Sequence, residues 1–203
     1  KAAELGALPL YHEALIEELS YIVEYPKLLV ASFDEAFTKV PKEILILTMQ
    51  KNQKYIPLEK NDKLLGRFLV LYEGLESAEP NIRTGNEKVV RARLSDAAFF
   101  VKDDLARDLD DMRLELGKSK FIEGLGPIGQ KMERTTKLAL SVAKALNQTS
   151  ANLVLSDVDL VATYAKADLA SKAVFEFPEL QGVMGRYYVA NQFPDVGAQT
   201  IAA

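Results

Sequence analysis

Two residue types that build many active sites are nearly missing from this sequence. Its 203 residues include no cysteine and a single histidine, His12. The lack of cysteine excludes disulfides and thiolate zinc sites, and one imidazole excludes any site that needs two. His12 lies in a helix-like stretch at residues 11–15. We therefore expect it at the surface rather than at the centre of a Ser–His–Asp triad.

Long apolar runs are missing as well. No segment approaches the roughly 20 apolar residues that a membrane-spanning helix needs, and the N-terminal residues lack the apolar region of a signal peptide. The sequence begins with Lys1 rather than Met. This beginning indicates an excised fragment or a trimmed terminus, and we expect the protein to contact no membrane.

Positive charge is in slight deficit. The sequence has 25 Lys and Arg residues against 29 Asp and Glu residues, a net charge of −4 and a sequence pI of about 5.2. A protein that binds nucleic acid without selectivity would be strongly basic. The balance leaves room only for a local basic face on an acidic body.

The first half of the sequence contains strand signals. Residues 21–25 are rich in β-branched and aromatic side chains, which predicts a strand that Pro26 ends. Residues 55–59 and 68–72 are also strand-like, and the turn chemistry of residues 60–63 between them predicts a β-hairpin. Pro57 lacks a backbone N–H, so we expect the first hairpin strand at a sheet edge.

Helix signals dominate the rest of the sequence. We predict a helix that begins at Asn86, with Asn86 as its N-cap after Gly85, and a second amphipathic helix over Gln130–Leu146. Acidic and polar residues at 103–111 indicate a domain boundary. The expected fold class is α+β, with a mixed α/β domain at residues 1–106 followed by a helical domain at residues 107–203.

A glycine pattern at residues 124–129 matches the GxGxxG loop of dinucleotide-binding proteins. That motif requires a buried strand before it and a helix N-terminus after it. Residues 118–123 are too polar for a central strand, and Pro127 removes one N–H from the loop. These features favour a simple interhelical turn over a nucleotide site.

Basic residues cluster at Lys88, Arg91 and Arg93. Positions 88 and 91 share one face of the predicted helix, roughly opposite its apolar positions. Such a face suits phosphate groups, because guanidinium groups bind phosphate oxygens in a bidentate way. The alternative is a solvated face whose charges pair with nearby carboxylates, namely Glu87, Asp96 or Asp103.

Three stretches resemble the bacterial glycyl-tRNA synthetase β-subunit family. Residues 85–100 read GNEKVVRARLSDAAFF and are similar to its GNE-V-RARLSDA-FF signature. Residues 166–169 read KADL and residues 176–188 read EFPELQGVMGRYY, which resemble its KADL…EFPELQG-MG-YY block. Between them, Leu125 and Gly126 with Lys131 and Arg134 fit its LG…K--R segment. The similarity runs in family order over about residues 23–188.

The resemblance implies an internal fragment of the β subunit of an α2β2 glycine–tRNA ligase, an enzyme expected in the cytoplasm. In that family the α subunit uses ATP and magnesium to form the adenylate, whereas the β subunit handles glycine tRNA and assembles with the α subunit. We therefore expect no catalytic residue, no cofactor-binding residue and no metal ligand in this chain. Lys88, Arg91 and Arg93 become its candidate tRNA contacts.

The resemblance also gives expectations for the domains. It implies that the first half belongs to a mixed α/β domain and that the helical half is an incomplete HD-like domain. Two other interpretations stay open: a non-catalytic interaction scaffold descended from such a subunit, and an HD-type metal phosphohydrolase. The chemistry of such a hydrolase needs several histidines and aspartates around a metal, and this sequence has only His12.

Overall fold

A computed structural model of the protein describes residues 1–149, 151–197 and 200. The chain divides into two compact units, Lys1–Phe99 and Phe100–Ala203, called unit 1 and unit 2 below. Among the described residues, none of the helices combines the length and apolar character that crossing a bilayer needs.

Unit 1 is built on a four-stranded antiparallel sheet. Its strands are β1 (Leu8–Pro9), β2 (Lys27–Ser32), β3 (Ile56–Lys60) and β4 (Lys63–Tyr72). Its helices are α1 (Glu13–Ile22), α2 (Lys42–Gln53) and the first part of α3 (Glu79–Leu105), which ends in unit 2. The strand order is β1-β3-β4-β2.

Apolar side chains are buried on both faces of this sheet. On one face, Leu15 and Leu19 of α1 form a cluster with strand residues that include Leu58. Successive strand residues point to opposite faces, and Phe68 lies on the other face with no exposed surface. Its ring centre is 4.9 Å from that of Tyr55. Stacking of this kind adds to the area that the aromatic side chains bury.

The predicted hairpin is confirmed, but its predicted edge position is wrong. Asn61 and Asp62 have φ values of 52° and 60°, as a two-residue turn between right-twisted strands requires. The strand that contains Pro57 lies between β1 and β4. Proline fits there because the N and the carbonyl of one strand residue face the same neighbour. The Pro57 carbonyl accepts a hydrogen bond from the Leu10 N–H at 2.9 Å, just past the end of the short strand β1, so no N–H toward β4 is lost.

Two other predictions for unit 1 are wrong. Residues 21–25 form no strand, because α1 continues to Ile22 and the strand begins at Lys27. Helix α3 begins at Glu79, seven residues before the predicted N-cap at Asn86. Pro80 lies in its first turn, where no intrahelical N–H is needed. Gly85 is inside the helix, where it costs stability but breaks nothing.

The described part of unit 2 is helical apart from one small hairpin. Its helices are α4 (Leu109–Glu115), α5 (Ile128–Asn147), α6 (Leu155–Tyr164), α7 (Lys172–Glu176) and α8 (Val183–Gln192). The hairpin consists of β5 (Lys120–Ile122) and β6 (Gly126–Pro127). The predicted helix over Gln130–Leu146 is confirmed as α5. The α+β class is confirmed by the antiparallel sheet of unit 1 and the helices of both units.

Candidate functional site

The helix that carries the predicted basic residues is held to unit 1 along one side. Val90, Leu94 and Ala97 are each at most 1% exposed, and their spacing places them on one face of α3. A carboxylate oxygen of Glu87 accepts hydrogen bonds from the Ser32 backbone N–H at 2.9 Å and from the Ser32 hydroxyl at 2.8 Å. The rotation of this part of α3 is therefore fixed relative to the sheet.

A second polar contact fixes the same part of the helix. The Tyr55 hydroxyl donates a hydrogen bond to the Asn86 side-chain oxygen, and the Asn86 amide donates to the Ile82 carbonyl at 2.7 Å. Burial raises the pKa of the Tyr55 phenol, so this side chain stays a donor at neutral pH. Asn86 thus joins the aromatic core to α3 and does not cap the helix.

All three candidate basic residues are exposed on α3. Within the part of the chain that the structure describes, Lys88, Arg91 and Arg93 make no ion pair with a carboxylate. Two of the predicted partners are engaged elsewhere: Glu87 by Ser32, and Asp103 by Lys172 at 2.6 Å. The positive charges are therefore not neutralised within unit 1.

The helix separates these three residues into two sides. Lys88 and Arg91 are three positions apart, which is about 60° of rotation and one helical turn along the axis. Arg93 follows Arg91 by two positions, or about 200°. The structure thus brings together Lys88 and Arg91, which we call the basic pair, and places Arg93 on the other side of α3.

The sequence did not reveal a buried carboxylate in unit 2, Asp104, which is 1% exposed. One of its oxygens accepts from the Lys172 N–H at 2.9 Å. The other accepts from the Ala173 N–H at 2.9 Å and from the Tyr188 hydroxyl at 3.0 Å. Burial raises the pKa of the Tyr188 phenol, which keeps it a donor. Asp104 therefore satisfies otherwise unpaired N–H groups at the start of α7.

A second buried carboxylate, Asp168, is also 1% exposed. Its Oδ2 accepts from the Gly182 N–H at 2.5 Å and from the Gly185 N–H at 3.3 Å, while Oδ1 is buried without a partner among the described residues. Burial raises the pKa of the Asp168 carboxyl, and the two backbone N–H groups act in the opposite direction. Gly182 has φ of 83°, a conformation that favours glycine.

Asp168 and its hydrogen-bond partners lie in the stretches that carried the family resemblance, whereas Asp104 lies four residues after the first of them. Asp168 belongs to KADL, and Gly182, Gly185 and Tyr188 belong to the EFPELQGVMGRYY block. The sequence offered one signal that Asp168 is buried, which is its position between the apolar residues Ala167 and Leu169. Across the described ranges, no three His, Asp or Glu side chains gather in a way that could hold a metal ion.

The GxGxxG segment forms the turn of the β5–β6 hairpin and the start of α5. Gly124 and Gly126 have φ values of 82° and 79°, so both glycines serve the tight turn. The preceding strand is exposed at all three residues, unlike the buried strand of a dinucleotide-binding fold. The predicted interhelical turn is thus a small hairpin between α4 and α5.

Comparison with known proteins places the whole chain in one family. Residues 1–200 match the sequence profile of the glycyl-tRNA synthetase beta subunit family. The glycine–tRNA ligase beta subunit of Neisseria meningitidis serogroup C is 45% identical over 190 residues, which cover 93% of this chain and 27% of that protein.

Beta subunits from other bacteria are similarly close. The one from Delftia acidovorans is 43% identical over 192 residues, covering 94% of this chain and 27% of the relative. The one from Thiobacillus denitrificans is 43% identical over 188 residues, covering 92% and 26%. The chain thus spans about 27% of the length of the curated relatives that it matches. On this match the chain belongs to the glycyl-tRNA synthetase beta subunit family.

Proposed function

We propose that this chain serves as the part of a glycine–tRNA ligase β subunit that contacts the phosphate backbone of glycine tRNA through Lys88 and Arg91. The observation that carries the proposal is the basic pair itself. Its two cations lie one turn apart on the exposed side of an anchored helix, and neither pairs with a carboxylate among the residues that the structure describes. Phosphate contacts of this kind position a nucleic acid without reading its sequence.

The proposal gives the chain no part in bond formation. The relatives are named as beta subunits of a ligase, and such a name implies a partner subunit. We place adenylate formation from ATP, with magnesium, on that α subunit in an α2β2 assembly, and tRNA handling on this one. In the same proposal unit 1 is part of the mixed α/β domain and unit 2 is the HD-like domain.

Charge reversal tests the basic pair. The variants Lys88→Glu and Arg91→Glu are made in the whole β subunit, which is then assembled with the α subunit, and tRNA affinity is measured at several salt concentrations. Each lost phosphate contact should reduce the slope of log affinity against log salt by roughly one. Exposed positions on an anchored helix tolerate these changes, so unfolding curves should match the wild type.

Arg93→Glu is the matched control, because it makes the same charge change on the other side of α3. We expect it to leave the salt slope close to that of the wild type. Unchanged affinity and slope in Arg91→Glu would contradict the proposal, and a loss confined to Arg93→Glu would move the contact to the opposite side. Glycylation of tRNA by the assembled wild type distinguishes a ligase subunit from a non-catalytic scaffold.

A further inference from the structure

Unit 2 contains a cavity that the proposed function does not use. It has a volume of about 420 Å³ and opens between the β5–β6 hairpin, α5, α6 and the turn at residues 167–170. Its walls are mainly apolar and include Phe121, Ile128, Met132 and Leu169. Sites for small ligands typically have volumes of roughly 300–1,000 Å³ and mostly apolar walls with a few polar groups.

The polar side chains of this cavity have one sign of charge. Two lysines, Lys131 and Lys166, line it together with the amide of Gln181, and the described lining residues include no carboxylate. The Lys131 ammonium lies 4.3 Å from the centre of the Phe121 ring. Among the described residues, Lys166 makes no ion pair. The two lysines of the lining therefore suit an anionic group, and its apolar residues suit a flat apolar body beside that group.

A nucleotide joins these two properties in one ligand. Proteins recognise unpaired RNA by stacking its bases on aromatic rings and by holding its phosphates with cations. We propose that this cavity takes one unpaired nucleotide of bound RNA, with the base against Phe121 and the phosphate at Lys131 and Lys166. The proposal rests on the RNA-binding function given above, and it adds a second site in the other unit. A free mononucleotide shares this chemistry and is tested separately.

Binding of defined probes to the 203-residue chain tests the site. The probes are a fluorescently labelled single-stranded octaribonucleotide, an octamer of the same backbone without bases, and AMP. We expect the wild type to bind the octamer more tightly than the abasic probe. Phe121→Ala should weaken octamer binding by at least about fivefold, since stacking of one base on an aromatic ring commonly contributes that much. Binding of the abasic probe should not change.

Matched controls separate the cavity from general charge and folding effects. Ile122→Ala changes the next residue of the same strand, which is 53% exposed and does not line the cavity. Lys131→Gln removes a cation that lines the cavity. Lys144→Gln is its control, because it removes a cation from the same helix at a position away from the cavity. Ala165→Phe fills the cavity but keeps its walls and both lysines. We expect Phe121→Ala, Lys131→Gln and Ala165→Phe to weaken octamer binding, and both controls to bind as the wild type does.

The outcomes distinguish this inference from the proposed function. Equal binding of the octamer and the abasic probe, or wild-type binding by Phe121→Ala and Ala165→Phe, would overturn the cavity site. A reduced slope of log affinity against log salt in Lys88→Glu and Arg91→Glu would still support the phosphate contact of the basic pair. AMP that loses its binding in Phe121→Ala and Ala165→Phe but does not compete with the octamer would assign the cavity to a free nucleotide and overturn the RNA site. The absence of any RNA binding by the chain would overturn the cavity site. The basic pair is tested separately, by the tRNA affinity of the assembled ligase.

Discussion

The two compact units of this chain bury different kinds of side chain. In unit 1 the buried polar side chains are neutral, Thr48 and Gln50, and the rest of the interior is apolar. In the described part of unit 2 the buried groups include two carboxylates, Asp104 and Asp168. Unit 1 therefore depends mainly on apolar area removed from water, whereas unit 2 also depends on hydrogen bonds that buried carboxyl groups accept.

The largest expected effect lies in the apolar core of unit 1. Phe68→Ala removes a side chain with no exposed surface and leaves a cavity beside Tyr55, so we expect a loss of about 3–5 kcal/mol in the free energy of unfolding. Urea unfolding followed by circular dichroism measures it. Phe175→Ala is the control, because Phe175 is 84% exposed and should cost less than about 0.5 kcal/mol. Similar losses in the two variants would contradict this account of the core.

The next effect lies in the buried carboxylate of α3. Asp104→Ala leaves the Lys172 and Ala173 N–H groups and the Tyr188 hydroxyl without their acceptor, and we expect a loss of roughly 2–4 kcal/mol. Its sequence neighbour provides the control, since Asp103→Ala breaks an exposed ion pair with Lys172 that should contribute less than about 1 kcal/mol.

Hydrogen exchange adds a local measurement to the Asp104 experiment. The amides of Lys172 and Ala173 should exchange faster in Asp104→Ala than in Asp103→Ala, because only the first variant removes their acceptor. Equal unfolding free energies and equal exchange at these two amides would show that the carboxylate does not hold the start of α7.

The comparison of the units also explains which features could be predicted from the sequence. The hairpin around residues 60–63 and helix α5 were predicted correctly, because turn chemistry and hydrophobic periodicity are local signals. The contacts of Asp104 could not be predicted, because its partners lie 68–84 positions away in the sequence. Periodicity carries no information about such long-range hydrogen bonds from side chains to backbone.

The errors in unit 1 have a related cause. Asn86 after Gly85 is a strong local capping signal, yet α3 begins seven residues earlier and Asn86 binds Tyr55, 31 positions away. Tertiary contacts thus outweighed local propensity. The basic pair was predicted as a feature of one helix face, because helical spacing alone places Lys88 and Arg91 together and Arg93 apart from them. The structure adds that all three side chains are exposed and that α3 is anchored to the sheet. Whether these residues contact tRNA stays a prediction.

The smallest effect concerns the pH dependence of unit 2 stability. Burial raises the pKa of Asp168 above the ordinary value of 3.8, so the folded chain holds this proton more tightly than the unfolded chain. The protonated Asp168 carboxyl therefore contributes its full stabilisation of the folded chain below pH 3.8. This stabilisation is lost as the pH rises through the raised pKa of Asp168. Asp168→Asn mimics the neutral carboxyl at every pH.

Thermal unfolding of the wild type and Asp168→Asn at a series of pH values tests this assignment. The Tm of the wild type minus that of the variant should be constant below pH 3.8 and should then fall as the pH rises through the raised pKa of Asp168. Asp159→Asn removes the same charge from the exposed surface of unit 2, and its profile corrects for overall charge. A difference that grows with pH would mean that the N–H groups of Gly182 and Gly185 outweigh burial, and the buried carboxylate would then stabilise unit 2 in its ionised form.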